Sequence, residues 1–284
     1  MSAAAPTRTA PTGPAHSRPA PTHATAMTWL ADTWQMIKRN LIHIRRTPEL
    51  LLDVTLSPIM FVLLFNFVFG GAINVGGTGG TRGEYINFLM AGIFVQTIAF
   101  AGVYTGVLLA NDLKNGMIDR FRSLPMAQSS VLTGRTLTDV MRATLAIAIM
   151  WIVGLLVGFR PSGGALGGVA AIGLMLLFGF GLSWVGVAMG ALVRTPEALQ
   201  GIIFAAVFPL TFVSSAFVPT QSMPGWLAWF ADRQPMTLVT NAVRSLTLQG
   251  SGGPTAIPAI LWSLGLFAVF FPLGVWLYGR RTSQ

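Results

Sequence analysis

Six stretches of this chain are long and apolar enough to cross a bilayer, at about 50–70, 85–110, 140–158, 165–192, 199–217 and 256–278. Crossing about 30 Å of hydrocarbon takes about 20 residues of helix. Inside hydrocarbon every backbone N–H and C=O must be satisfied by the protein itself, so such stretches fold as helices. A β-barrel would show short segments of alternating polarity, and these are absent. The fold class is therefore an all-α polytopic membrane protein with six transmembrane helices. Composition agrees: the 284 residues are 53% hydrophobic and 10% charged, against about 25% charged in soluble domains. Pro58 lies within the first stretch, which a membrane helix tolerates.

Orientation follows from where Lys and Arg fall between the spans, because cytoplasmic segments carry the excess. With six spans both termini share a side. That side holds Arg8, Arg18, Lys38, Arg39, Arg45, Arg46, Lys114, Arg120, Arg122, Arg135, Arg142, Arg194, Arg280 and Arg281. The other side holds only Arg82, Arg160, Arg233 and Arg244. Both termini are expected in the cytoplasm. Topology thus accounts for the net charge of +9 without nucleic acid. The excess of Arg over Lys and the abundant Ala and Gly fit a bacterial chain, which places the protein in the plasma (inner) membrane.

Residues 1–26 are rich in Ala, Pro and Thr and lack an apolar signal-peptide core, so they are expected to form a disordered cytoplasmic tail. Residues 27–48 read as an amphipathic interfacial helix. Leu30, Trp34, Ile37, Leu41 and Ile44 recur on one face, and Lys38, Arg39 and Arg45 lie largely on the others. Between spans two and three, the segment 111–139 contains "GMIDRFRSLP". Asp112, Lys114, Asp119, Arg120 and Arg122 accompany the apolar Met117, Ile118 and Phe121, and Pro125 ends the expected helix. Between spans five and six, residues 218–255 carry Pro219, Pro224 and Pro235 with Trp226, Trp229 and Phe230. In that external segment Trp226, Leu227, Trp229 and Phe230 are too apolar for a free loop and too few to span, so it reads as a short re-entrant or interfacial helical element. Gly102–Gly106, Gly154–Gly158 and Gly186–Gly190 each match the GxxxG spacing that lets helix backbones approach closely.

Enzymatic chemistry is hard to build here. His16, His23 and His43 all precede the first span, and there is no cysteine. No acidic cluster has metal-ligand spacing. Asp53, near the cytoplasmic end of the first span, is the one acid close to a span interior, whereas proton-coupled transport needs buried acids. The lysines are Lys38 and Lys114, and neither follows the glycine of a phosphate-binding loop. The chain is expected to have no catalytic residue, metal or cofactor of its own. If ATP powers it, another subunit binds the nucleotide.

Residues 115–140 and 212–246 resemble the signature segments of ABC-2 type transporter permeases, most closely the daunorubicin/doxorubicin-resistance subfamily. The resemblance covers about 28–281 and makes 49–281 an ABC-2 permease domain. It implies two six-span permeases, either a homodimer or a pair with a close paralogue, and two ATP-binding subunits that carry ATP and Mg. It implies that Asp112, Lys114, Met117, Ile118, Asp119, Arg120, Phe121, Arg122 and Pro125 couple to an ATPase groove. The N-terminal helix would lie against the same ATPase, and the external re-entrant helices would close the path as a gate. In the family the path runs mainly along spans one, two and five, which here offer Asn66, Phe67, Gln96, Phe100, Tyr104, Phe208, Phe212 and Ser215. Aromatics with few hydrogen-bonding groups suit a hydrophobic or amphipathic ring-bearing small molecule. The expected function is ATP-driven export of amphipathic drugs or antibiotics. The nearest alternative is the same machine exporting a lipid, glycolipid or polysaccharide. An ATP-independent transporter and a membrane anchor are the remaining readings.

Overall fold

The computed structural model describes residues 49–69, 82–115, 128–193 and 195–282. The expected interfacial helix (Leu30 to Arg45) and the core of the charged segment (Met117 to Pro125) lie outside the described residues. Among the described residues there is no strand. Helix α1 (Glu49–Leu64) runs into a π-helical turn, Phe65–Phe69. It is followed by α2 (Arg82–Lys114), α3 (Gln128–Val157), α4 (Gly164–Leu192), α5 (Pro196–Phe212), α6 (Gly225–Arg233), α7 (Pro235–Gln249) and α8 (Ala256–Thr282). Of these, α2, α3, α4 and α8 are long and apolar enough to cross a membrane, while α1 and α5 are apolar but shorter.

Two boundaries differ from the sequence expectation. Helix α3 begins at Gln128, well before the apolar stretch that starts near residue 140. Its first turns are polar, and hydropathy does not register a polar extension of an apolar helix. Helix α5 ends at Phe212, short of residue 217. Pro209 lies inside it and has no N–H to donate. Beyond it Ser214 Oγ turns back onto the Thr211 carbonyl, and the Ser215 N–H donates to Thr237 Oγ1 at 3.2 Å. The start of α5 is fixed by Thr195, whose hydroxyl accepts from the Ala198 N–H, with Pro196 in the first turn.

Helix α2 is the hub. From Tyr85 to Ala99 nearly every side chain is buried, and α2 packs most extensively against α4. The seam is made of glycines: a Cβ on Gly186 would sit 2.5 Å from the Val103 carbonyl oxygen, and one on Gly190 2.5 Å from that of Gly106. The GxxxG pairs of α2 and α4 therefore meet within one chain. Helix α8 packs on α4 and leaves Ile257, Leu261, Val269 and Trp276 exposed, an apolar face suited to lipid.

The two ends of the bundle are pinned differently. At one end Lys114 Nζ lies 3.1 Å from Glu197 Oε1, tying the end of α2 to the start of α5. Arg281 Nη1 lies 2.7–3.1 Å from the carbonyl oxygens of Gly190, Ala191 and Val193. It thereby satisfies acceptors that the end of α4 would otherwise leave bare. At the other end the tight 158–163 turn meets α7: the Gly163 N–H donates to the Thr247 carbonyl at 2.9 Å, and Ser162 Oγ donates to that of Leu248. The Arg160 N–H donates to Asn87 Oδ1 at 2.9 Å. The α6–α7 hairpin belongs to this second end.

Candidate functional site

A cavity of about 390 Å³ opens between α1, α2, α3 and α5. Its wall comes from Ser57, Pro58 and Phe61 of α1, Gln96, Thr97, Phe100, Ala101 and Tyr104 of α2, and Gln200, Ile203, Phe204 and Phe208 of α5. Arg142 of α3 completes it. On α2 the spacing 96, 100, 104 places Gln96, Phe100 and Tyr104 on one helical stripe, and on α5 the spacing 200, 204, 208 does the same. Four of the eight residues proposed from sequence for the path are thus in one wall: Gln96, Phe100, Tyr104 and Phe208. The other four are elsewhere. Asn66 is buried in the π-helical turn, Phe67 points out with 61% of its surface exposed, and Ser215 bonds to Thr237 and Asn241 of α7. Phe212 lies one turn beyond the cavity wall.

Phe212 instead continues a row of rings. Phe204 and Phe208 have centroids 4.9 Å apart, Phe208 and Phe212 4.6 Å, Phe212 and Phe217 4.9 Å, and Phe217 and Phe65 4.5 Å. Offset aromatic pairs at this separation attract beyond their buried area. The row leads from the cavity wall to the turn that follows α5, beneath the α6–α7 hairpin. Tyr85 Oη donates to the Phe217 carbonyl there at 3.4 Å.

Of the polar part of the wall, Gln96 was proposed from sequence, but Thr97, Gln200 and Arg142 were missed. Arg142, counted there as a residue of a cytoplasmic segment, is buried on α3. Its Nη2 lies 3.2 Å from Asp139 Oδ1, and Thr105 Oγ1 of α2 donates to Asp139 Oδ2 at 2.9 Å. The pair is nearly sealed, with side chains 9% and 12% exposed. Two wall residues carry buried atoms without a hydrogen-bond partner, Gln96 Oε1 and Arg142 Nε. The sequence signal was present: Asp139 and Arg142 are three residues apart at the start of an apolar run, the spacing of a helical ion pair.

At the α6–α7 end of the bundle, Pro219 caps the 3-10 turn Thr220–Ser222, Pro224 precedes α6, and Pro235 opens α7. Trp226, Trp229 and Phe230 of α6 are largely exposed, and the Arg233 guanidinium stacks on the Trp229 ring at 4.6 Å. Such a face suits the headgroup region, where amphipathic rings concentrate. Helix α7 is the more buried half of the hairpin, with Met236, Val239, Ala242 and Val243 buried. Arg244, counted as a loop residue from sequence, is half-buried against α2 and the end of α5. It donates to the Phe88 carbonyl at 3.1 and 3.2 Å, the Ser215 carbonyl at 2.8 Å and Asn241 Oδ1 at 2.6 Å. Ser215 Oγ donates to the same Asn241 oxygen at 2.8 Å.

At the opposite end of the bundle, Asp112 and Lys114 of the expected coupling set are on the last turn of α2. Glu197, Lys114's partner, has its carboxyl held below the usual range by a hydrogen bond from its own backbone N–H and by the Lys114 ammonium. Among the described residues no group of His, Cys, Asp and Glu could hold a metal ion.

Comparison with known proteins agrees with this architecture. Residues 31–248 match the model of the ABC-2 type transporter family. The chain is 37% identical over 271 residues to the daunorubicin resistance ABC transporter permease protein DrrB1 of Streptomyces coeruleorubidus, covering 95% of this chain and 92% of that one. It is 28% identical to the doxorubicin resistance ABC transporter permease protein DrrB of Mycobacterium tuberculosis over 76% of this chain and 74% of the relative. A probable doxorubicin resistance permease of the same species, DrrC, is 24% identical over 86% of this chain and 87% of its own length. The chain is a multi-pass membrane protein of the ABC-2 type transporter family, and within it belongs with the daunorubicin/doxorubicin-resistance permeases.

Proposed function

We propose that this chain is the membrane-spanning subunit of a bacterial ATP-driven exporter, and that an amphipathic, ring-bearing drug or antibiotic passes through the cavity between α1, α2 and α5. The observation that carries this reading is the cavity wall itself. Phe61, Phe100, Tyr104, Phe204 and Phe208 supply aromatic surface, with Gln96, Thr97, Gln200 and Arg142 as sparse polar groups. Few, placed polar groups in an apolar wall are the mark of a small-molecule site. The resistance phenotypes in the names of the relatives support the same substrate class.

In this reading α1 and α5, extended by the π-helical turn and by the turns after Phe212, complete six crossings. Both termini are cytoplasmic and the membrane is the bacterial plasma membrane. Two ATP-binding subunits, which carry the ATP and Mg, grip the segment between α2 and α3 and the N-terminal helix. A second permease, identical or paralogous, completes the path. Closure of the ATPases would push on the inner ends of α2 and α3. The Lys114–Glu197 pair would pass that push to α5, so that two walls of the cavity move together. The α6–α7 hairpin would open last.

The test is recovery of the tagged full chain from its native membranes, with co-purifying proteins identified by mass spectrometry. A stoichiometric ATP-binding subunit is the expected result, and a second six-span chain would identify a heterodimer. The chain alone, in detergents that preserve such complexes, would contradict the reading.

A further inference from the structure

We propose that Asp139 is a positioning residue of the transport cycle. Acting through Thr105 and Arg142, it makes α3 move together with α2. A push on the segment joining the two helices then changes the width of the cavity instead of bending α3 alone. The inference rests on that cavity being the path and on an ATP-binding subunit gripping that segment.

Four observations carry it. First, Asp139 divides its carboxylate between two helices. Its Oδ1 faces Arg142 Nη2 of α3 at 3.2 Å, and its Oδ2 accepts from Thr105 Oγ1 of α2 at 2.9 Å. Arg142 stands in the cavity wall, and Thr105 directly follows the wall residue Tyr104. Second, Thr105 forgoes the bond that other helical threonines of this chain make. Thr97, Thr144 and Thr211 each donate to the carbonyl four residues back, at 2.7–2.8 Å. Thr105, 2% exposed, reaches across to α3 instead. Third, packing is incomplete where the bond lies. A void of about 20 Å³ remains between α2, α3 and α4, lined by Asp139, Val140 and Ala143 of α3 and by the small Ala101, Gly102 and Gly179 of its neighbours. Atoms facing a void lack dispersion partners, which leaves the polar bond to set the spacing of α3. The contact of α2 with α4 is tight by comparison: a Cβ on Gly102 would lie 2.8 Å from the Gly179 carbonyl oxygen. Fourth, the ion pair is nearly sealed, at the first turn of the apolar length of α3. Desolvation offsets most of the attraction of such a pair, so stability alone does not account for it, and ionisable groups so placed serve function.

The experiment uses vesicles that carry the full-length chain with its ATP-binding subunit. ATP hydrolysis and uptake of the fluorescent ring compound Hoechst 33342 are measured together. Thr105→Val keeps the shape and the Asp139–Arg142 pair but removes the donor. The compound carried per ATP hydrolysed should fall about tenfold, the scale of one lost hydrogen bond to a charged group. The Hoechst concentration that gives half-maximal uptake should not move, because the cavity wall is intact. Thr105→Ser should restore the ratio. In an Asp139→Asn background Thr105→Val should cost less than in wild type, because the two changes weaken the same bond. Ser263→Ala removes a buried hydroxyl that bonds within its own helix and should leave the ratio as in wild type. A bond that merely holds the fold would lower hydrolysis and uptake together and leave the ratio unchanged. If wild type shows no ATP-dependent uptake, the export reading falls and this proposal with it. If wild type transports and Thr105→Val keeps its ratio, shifts the half-maximal concentration, is not rescued by serine or costs as much beside Asp139→Asn, export stands and the role of Asp139 is overturned.

Discussion

The guanidinium of Arg244 lies 3.6 Å from the centre of the Phe88 ring and donates two hydrogen bonds to the carbonyl oxygen of the same residue. One arginine thereby joins helix α7 to the hub helix α2, and through the Ser215 carbonyl to the turn that ends α5. Its partners are carbonyl and amide oxygens, and no carboxylate is among them. The planar fork is what matters, because only arginine can address several acceptors in one plane and stack on a ring at once.

Arg244→Lys should keep the charge and lose the fork. Arg244→Leu should leave the Phe88, Ser215 and Asn241 oxygens short of a donor, at about 1–3 kcal/mol for each buried acceptor left unpaired. The expected outcome is a marked fall in the thermal stability of the purified complex for Leu, a smaller fall for Lys, and leakiness of reconstituted vesicles for both. Thermal unfolding and passive efflux of a trapped dye measure the two effects.

Ala substitutions at Tyr104 and Phe208 remove aromatic wall from the cavity. Each should leave the chain in the membrane and shift the relative resistance that it confers on different ring compounds, read as growth-inhibition ratios across a drug panel. Unchanged ratios for both would count against a lining role.

Gly106→Val places a side chain directly onto the Gly186 carbonyl oxygen. Backbones in contact cannot absorb a branched side chain, and overpacking costs about 1–3 kcal/mol or more. Reduced yield of monodisperse protein and a lower unfolding temperature are expected. Gly201→Ala, where an added Cβ would meet open space, is the matched control and should behave as wild type.

The hydropathy pattern made the long helices legible because burial in hydrocarbon depends on local composition alone. The polar start of α3 was not legible, for the same reason. Nor were the roles of Arg142 and Arg244, which counting loop charges places in water. Arg244 finds its main acceptor 156 residues away in sequence, a pairing that no local pattern encodes. The cavity was half legible: the stripes on α2 and α5 follow from helical spacing, but that Phe61 of α1 and Phe65 of the π-helical turn close the row depends on tertiary packing. Asn66 and Phe67 were chosen from the first apolar stretch, but they fall in the π-helical turn after α1, and the wall is made by Ser57, Pro58 and Phe61 instead.

Lys114 and Glu197 pair in an exposed position, so neutralising either should move thermal stability little. Because the Glu197 carboxyl titrates below its usual value in the fold, its contribution is present above the ordinary carboxylate range and is lost as pH falls through the lowered value. Glu197→Gln should therefore differ from wild type at neutral pH and converge with it in acid. If the pair also transmits motion from α2 to α5, the same variant should lower drug-stimulated ATPase activity more than stability.

Charge reversal at Asp119 or Arg122 should separate ATP hydrolysis from transport while the ATPase remains bound. Wild-type transport in both variants would remove them from the coupling surface.

Uptake of a fluorescent aromatic drug into inside-out vesicles, containing the chain with or without its ATP-binding subunit, tests whether ATP hydrolysed on a partner drives a ring compound through this chain. Uptake against a gradient is expected only when the subunit and ATP are both present, with loss of uptake in an ATPase-dead subunit. Equal uptake by the chain alone without ATP would overturn the export reading.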